Sequence, residues 1–559
     1  MSKIKPARAF AKEIFSSFDG LSASGASEMR NFRILPDGSL EKRCGWETLY
    51  ALPDRVRGVW QGTLGGDLLT CAVCGQRVCS IASDGSLADL GRLSTSAGRV
   101  YFLLYRNRLY LADGTHIYVL SGTGSMVSVA EGYAPQFGIN WHPTGLGDVY
   151  EPLNLFSNRL RIHYLNTNQA NVITLPFFPR SVDRVRVDGV TDTAFTVSGD
   201  CVTLSKIGKD VEIAMTIELE SDHQSRLQEA IRVYADRLEG REFMMLSSKR
   251  DPQYLYCSAN VDDVMLNGSK AFYPNSDPLY FKSDQILIVG SGDTPISRFC
   301  IDRDRVLAFY GTGAVSISLS QESDAVESYP LLRGVGAVSL ENDLYLNGDP
   351  VVANESGVFR LESTASEPDR FRAVALGEKM PFCRDTHFLS NMICCEDLTH
   401  GELWFRDATD IYGTVWVYNT ALSQWYCYSG VFADFFLHVN GKLGFVLDDR
   451  ICVFGEELST DDGAVFEAVY TSGYICFSSP ESVKRSIRVS LCGWGCEATL
   501  DLQSEKQTQR FVLAAEKSDA PLVLDKRTRF GRFKHIRFCL RDTGEHRSRW
   551  SRLALYSNL

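Results

Sequence analysis

Along most of the chain, apolar residues come in runs of four to six, broken every few positions by Gly, Asp or Asn. RVYFLLYRNRLYLADGTHIYVLSG, residues 99–122, is typical. Arg106-Asn107 divides its first two runs, and Asp113-Gly114 reads as a two-residue hairpin turn before the third. The same shape returns around 55–90 and at 298–319, 336–363, 401–430 and 432–457. The units share no residues at fixed offsets, and Gly-His…Trp-Asp pairs and kelch-like double glycines are absent. Radially repeated antiparallel sheets bury such strands while leaving few open edges. The pattern predicts an all-β chain with a β-propeller of about six blades, in two parts at 51–179 and 226–460.

Two stretches depart from this rhythm. Residues 180–225 alternate apolar and polar positions more strictly and predict a small β-domain inserted into the propeller. From Ala464, the segments VFEAVYTSGYICF, SIRVSLCGW, EATLDLQS, RFVLA, HIRFCLRD and SRLALYS give six alternating strands, which predicts a C-terminal β-sandwich over 464–559. Helix-like spacing occurs only in SRLQEAIRVYADRLEG, 225–240, whose end also reads as a strand. Residues 1–50 form an N-terminal arm with the first strands.

With 559 residues the chain is long enough for two to four domains, and 44% hydrophobic residues place it among globular rather than disordered proteins. No run reaches the roughly 18 apolar residues of a membrane helix, and the N-terminus lacks the apolar core of a secretory leader. A protein folded in a cytoplasm, without a membrane anchor, is expected. Its sixteen cysteines lie scattered in apolar segments and read as packing residues.

Motifs that carry chemistry are missing. The sequence has no P-loop, no nucleotide-binding glycine motif opening a helix, no Gly-x-Ser-x-Gly elbow and no HExxH. Cys71-x-x-Cys74-x4-Cys79, with Cys44 upstream, has zinc-knuckle spacing, but the nearest second pair, Cys492 and Cys496, falls in another predicted domain. Asp302, Asp304 and Asp343 could form the acidic pair of a glycosidase, yet each sits in a turn, where Asp bonds its own backbone. No enzyme activity, metal or other cofactor is expected.

The most specific segment is FSSFDGLSASGASEMRNFRILPDGSLEKRCGWETLY near the N-terminus. Its order, Asn31, then Asp37, Gly38 and Leu40, then Lys42, Arg43 and Gly45, resembles the opening of phage tail nozzle proteins. That group includes packaged-DNA stabilisation proteins and tail tubular protein B of short-tailed phages, which commonly carry Pro where Cys44 stands. SGYICFSSPESVKRSIRVSLCGWG, FGRFKHIRFCLRD and Trp550 also look like the sandwich that closes such proteins. The resemblance covers the first fifty and last hundred residues by motif. It implies a non-catalytic virion tail protein, present in the host cytoplasm during assembly. As a ring, a hexamer, it would extend the DNA channel, retain the packaged genome and conduct it during ejection. Its implied partners are copies of itself, the head-to-tail adaptor, tail fibre or tail needle proteins, and passing genomic DNA bound without sequence specificity.

A net charge of −11 makes one local feature stand out. Lys526, Arg527, Arg529, Arg532, Lys534, Arg537 and Arg541 lie close together with no acid among them, a candidate patch for assembly contacts. Two rival readings are a receptor- or glycan-binding propeller, with Trp404, Trp416, Trp425 and Tyr426 as candidate contacts, and a propeller hydrolase.

Overall fold

The computed structural model describes residues 26–559 except 122–125, 130–133, 219–222, 239–240, 259–278, 290–293, 303–304, 321–325, 338–343, 364–370, 378–379, 477–482, 496, 515–520 and 558–559. The chain is nearly all β. Among the described residues, six four-stranded antiparallel sheets stand alone, and a seventh set of four strands continues into a larger sheet. In chain order these are blade 1 (Val56–Leu64 to Leu87–Arg92), blade 2 (Tyr101–Tyr105 to Val127–Ser128), blade 3 (Ala230–Leu238 to Phe281–Ile288) and blade 4 (Ile296–Asp302 to Val326–Arg333). Blade 5 runs from Tyr345–Leu346 to Phe371–Gly377 and blade 6 from Met392–Asp397 to Gln424–Tyr428. Blade 7 combines Phe435–Val439, Lys442–Leu447 and Arg450–Gly455 with Gly45–Ala51 from the start of the chain.

The blades form a closed circle because their middle strands are apolar on both faces. Successive side chains of a strand point to opposite sides. In Asp67–Cys74, Cys71 and Val73 pack toward blade 2, while Ala72 and Cys74 pack toward blade 7. In Arg241–Ser248, Met244 and Leu246 face blade 2, and Phe243 and Met245 face blade 4. Val306 and Ala308 of blade 4 face blade 3, whereas Leu307 and Phe309 face blade 5. Blades 5 and 6 share a cluster that includes Val351, Ala353, Cys394 and Phe405. Trp404 joins Phe436 and Phe445 between blades 6 and 7, and Val446 meets Val56 between blades 7 and 1. Every blade thus has two neighbours.

The described residues form seven blades where six are expected. The six sequence units correspond to blades 1, 2, 4, 5, 6 and 7; blade 3 is the one that periodicity hid. Its first strand lies in the stretch read as a helix, but the helix covers only His223–Gln228 and the strand begins at Ala230. Val233 and Ala235 pack toward blade 2 and Tyr234 toward blade 4. A strand apolar on both faces has no period of two to display, so burial between neighbours decided its state. Asp113-Gly114 is also not a two-residue turn. Ala112 pairs with Ile117, leaving a four-residue loop, and the Asp113 carboxylate accepts from the amides of Thr115 and His116 at 2.9 and 2.7 Å. Arg106 and Asn107, at φ 52° and 56°, do form a two-residue turn.

Between blades 2 and 3 the chain makes a five-stranded and a three-stranded sheet spanning 136–217, a longer insertion than 180–225. It has its own core, which includes Trp141, Ile162, Tyr164, Val202 and Ile213. After blade 7 comes the sandwich. One sheet has Ala468–Ser472, His535–Asp542, Glu497–Ser504 and Thr508–Ala514; the other has Arg549–Ser557, Lys484–Trp494 and Pro521–Phe533. Pro521–Phe533 adds to the strands read from sequence. Three more come from the N-terminus: Ala26–Arg30 joins the first sheet, Phe32–Ile34 and Leu40–Lys42 the second.

Phe445 is fully buried and meets Trp46 edge-on, with ring centroids 5.2 Å apart, where the closing strand joins blade 7. Phe445→Ala should cost about 3–5 kcal/mol, the usual range for deleting a buried ring. Urea unfolding measures this; a loss below about 1 kcal/mol would show that the closing blade does not share the common core.

Candidate functional site

The N-terminal motif residues converge where propeller and sandwich meet. Strand Ala26–Arg30 lies between the outer strand of blade 6, to which it runs parallel, and sandwich strand Ala468–Ser472, to which it runs antiparallel. One continuous sheet therefore passes from the propeller's inner strand into the sandwich. Asn31 ends this strand and turns the chain toward the second sandwich sheet. It has φ 60°, a left-handed conformation that Asn tolerates better than most residues. Its amide donates to Cys427 O at 3.0 Å. Its side-chain nitrogen donates to Ser429 Oγ and Glu467 O, and its side-chain oxygen accepts from Ser429 N and Arg43 Nε. All four side-chain bonding positions are used, two on Ser429 and one each on Glu467 and Arg43.

Arg43 is buried and fully bonded. It grips Asp461 through two bonds of 2.9 and 2.6 Å, donates to the carbonyls of Cys44 and Ser429, and lies 3.8 Å above the Phe466 ring. Lys42, with no exposed surface, reaches Gly544 O at 2.7 Å and Asp542 at 3.6 Å, and shares the Phe466 ring at 4.6 Å. Burial pushes the Lys42 ammonium below its usual pKa, and it raises the carboxyls of Asp461 and Asp542 against the pull of their cations. Gly45 passes so close to the carbonyl of Thr460 that a Cβ would collide with it. Leu40 is wholly in the core. Asp37, Gly38 and Ser39 make the turn between the two short strands. Asp37 accepts from Ser39 Oγ and N, and these bonds, with a smaller contribution from its pair with Arg549, hold its carboxyl down at about 2.

A second layer of charge borders this junction. Arg547 bridges Glu41 at 2.9 Å and Glu456 at 2.6 Å, and Arg33 pairs with Glu41 at 2.7 Å. His400, in the first turn of blade 6, lies between Asp397 and Glu456, 2.5 Å from each. Behind it, buried Glu402 accepts from Trp404 Nε1 and the hydroxyls of Tyr426 and Tyr428, and burial raises its carboxyl above the ordinary range. Asp461, Asp542, His400 and Glu402 carried no sequence signal: each stands in a segment that reads as an ordinary turn or strand end.

The basic patch divides in two. Lys526, Arg527, Arg529 and Arg532 are exposed on Pro521–Phe533, which among the described strands is an edge strand paired with Lys484–Trp494, and Lys534 is exposed just after it. Lys526, Arg529, Arg532 and Lys534 make no side-chain ion pair or hydrogen bond among the described residues, and Arg527 reaches only Ser486 Oγ at 3.5 Å. Arg537 and Arg541 lie in the other sheet, half-buried, and are bonded to Gln503 and Glu467. In that strand Ile536, Phe538 and Leu540 are buried and Arg537, Cys539 and Arg541 face outward.

The remaining candidates are dispersed. Cys71 and Cys74 share knuckle spacing but point to opposite faces of blade 1. Among the described residues, no three His, Cys, Asp or Glu side chains are grouped to hold a metal ion. Asp302 is buried and pairs with Arg305 at 3.3 Å; Asp304 and Asp343 lie outside the described residues. Trp404, Trp425 and Tyr426 are core residues, and Trp416 packs against the core from a half-buried position.

No family model matches the chain, and no curated protein does. Among solved structures, the WD40 domain of SCAP from fission yeast is similar over 76% of this chain and 98% of that one, with 11% identity and a TM-score of 0.27. A likeness that loose adds nothing to the topology described above.

Removing one partner of a buried ion pair leaves the other uncompensated. Asp461→Ala should therefore cost about 3–5 kcal/mol in urea unfolding, and a cost under about 1 would show that Arg43 finds water there. The pH dependence of the junction follows from His400. Burial alone would lower its pKa, but Asp397, by hydrogen bond and charge, lifts it above the usual histidine value. A raised pKa gives stability that is complete below the unfolded value and lost as pH rises through the folded one. Arg33 and Glu402 face the same imidazole, and Glu402, also raised, adds a loss in the same direction. The advantage of wild type over His400→Gln should be largest near about pH 6 and shrink toward about pH 9. An advantage that grows with pH would contradict this assignment.

Proposed function

We propose that the chain is a structural subunit of a bacteriophage tail, a nozzle-like protein that joins copies of itself into a ring around the exit path of the packaged genome. What supports this reading is the place of the residues that carry the family resemblance. Asn31, Lys42, Arg43 and Gly45 lie together at the junction of propeller and sandwich, buried and bonded across it. A ring subunit under the load of packaged DNA needs its domains fixed relative to one another, and a buried polar network bonded across the junction provides that rigidity. On this reading the function is geometrical and needs no catalysis or cofactor. The ring, a hexamer, prolongs the channel below the head-to-tail adaptor, retains the genome and conducts it on ejection. A net charge of −11 suits a wall past which DNA must slide, because a basic lining would hold phosphates by counterion release.

The unpaired cations on the sandwich edge are the complementary element. Like charges on a fixed strand repel unless a counter-charge approaches, and an acidic neighbour in the tail supplies one while steering encounter and setting register.

One observation favours a receptor- or glycan-binding propeller as a second reading. A cavity of about 410 Å³ opens among the first strands of blades 1, 2, 6 and 7, lined by residues that include Trp60, Arg99, Tyr101, Phe435 and His438. Aromatic rings beside polar groups suit a small polar ligand. A glycan array with wild type and Trp60→Ala decides: wild-type binding lost in the variant would favour this reading.

Electron microscopy of the purified protein, alone and with a portal–adaptor assembly, should reveal closed rings with a central hole. Strictly monomeric protein that also fails to join the assembly would overturn the proposal. Charge reversal at Lys526, Arg529 and Arg532 should leave the unfolding curve unchanged but give particles that lack the protein or lose DNA. Infectious, DNA-filled particles from that variant would reduce the patch to a solvated edge.

A further inference from the structure

The Cys71-x-x-Cys74-x4-Cys79 spacing conceals a different pair from the one it suggests. Cys74 ends one strand of blade 1, Gly75-Gln76 makes the turn, and Cys79 lies on the returning strand, diagonal to Cys74 because Cys74 pairs with Arg77 and Ala72 with Cys79. Both side chains point toward blade 7, and their sulfurs are 4.0 Å apart. Cys71 points the other way. We propose that Cys74 and Cys79 are a redox-active dithiol that closes to an intrachain disulfide when the protein meets a small-molecule disulfide such as oxidised glutathione.

The surroundings assign different roles to the two sulfurs. Cys74 adjoins the turn, where the Cys79 thiol can donate to it and Arg77 favours its thiolate; together they lower its pKa against its burial. Cys79 is held as the thiol by its bond to Cys74 and by burial, and its one S–H has Ala72 O, at 3.5 Å, as the alternative acceptor. The Cys74 thiolate attacks one sulfur of oxidised glutathione, forming a mixed disulfide and expelling one glutathione thiolate. Cys79 then loses its proton to solvent and attacks Cys74 Sγ, expelling the second. Two protein thiols are oxidised by two electrons, and one glutathione disulfide is reduced to two thiols. Closure brings the sulfurs to about 2.05 Å, the length of the bond, by movement at the hairpin end where Gly75 lies. Both thiols are buried, so opening of that hairpin end sets the rate. The bond would staple the face of blade 1 that packs on the closing blade.

The full-length protein is equilibrated with glutathione buffers of increasing oxidised fraction, trapped with an alkylating agent, digested and analysed by mass spectrometry. A single bridge between Cys74 and Cys79 is expected, with the other fourteen of the sixteen cysteines alkylated. Cys79→Ser should take up one glutathione on Cys74, whereas in Cys74→Ser the Cys79 thiol should stay unmodified. Wild-type protein that keeps both thiols alkylatable at every ratio, or that bridges either one to a different cysteine, overturns the proposal.

Discussion

The passage of the chain through Asn31 into Arg43 holds the two large parts of the molecule in one body. Among the described residues, Ala26–Arg30 supplies the backbone pairing that links blade 6 to the sandwich sheet, and a single left-handed residue ends it. Such a narrow seam would bend if its polar groups were left to water. Instead Asn31, Arg43, Asp461 and Ser429 bond one another across three segments far apart in sequence. The Phe466 ring beneath Lys42 and Arg43 gives both cations an apolar floor with a negative face.

This arrangement differs in kind from the one that closes the propeller. Blade contacts are apolar, redundant and spread over many residues, so losing one side chain leaves the circle shut. The junction is polar and each member satisfies another, so the loss of any one strands a buried charge or amide. Specificity of orientation is the return on that arrangement, since an apolar seam between two sheets could slide by a residue or two.

Hairpin units were legible wherever a strand has one face less buried than the other or a turn carries Gly, Asn or Asp. Blades 1, 2, 4, 5, 6 and 7 were visible for that reason, as were the sandwich strands from Ala464. Blade 3 was not, because AIRVYADRL is covered on both sides and its apolar positions fit a helical spacing by coincidence. Pro521–Phe533 was missed because Lys526, Arg527, Arg529 and Arg532 interrupt its alternation, which breaks where Lys526 is exposed on the side of the strand that carries buried Leu524 and Thr528. A charge in that place is how edge strands discourage unwanted pairing. The motif at Asn31 to Gly45 could be picked out by its order, but the partners that give it meaning, Asp461 and Asp542, lie about four and five hundred residues away. Contacts of that span leave no local trace.

The same span dictates the order in which the molecule can be finished. Lys42 accepts a bond from Arg547, 505 residues further on, and Gly45–Ala51 waits for Arg450–Gly455 before blade 7 has four strands. Synthesis delivers the N-terminal strands long before their partners, so the earliest β-segments leave the ribosome with open edges and keep them until segments about four to five hundred residues further on have been made. Closing loops of that length is slow, because chain entropy is lost before any native contact repays it. A truncated chain cannot shut either the circle or the sandwich. Synthesis of the late partners, Arg450–Gly455 and Arg547, is thus built into the fold as a condition for a finished surface.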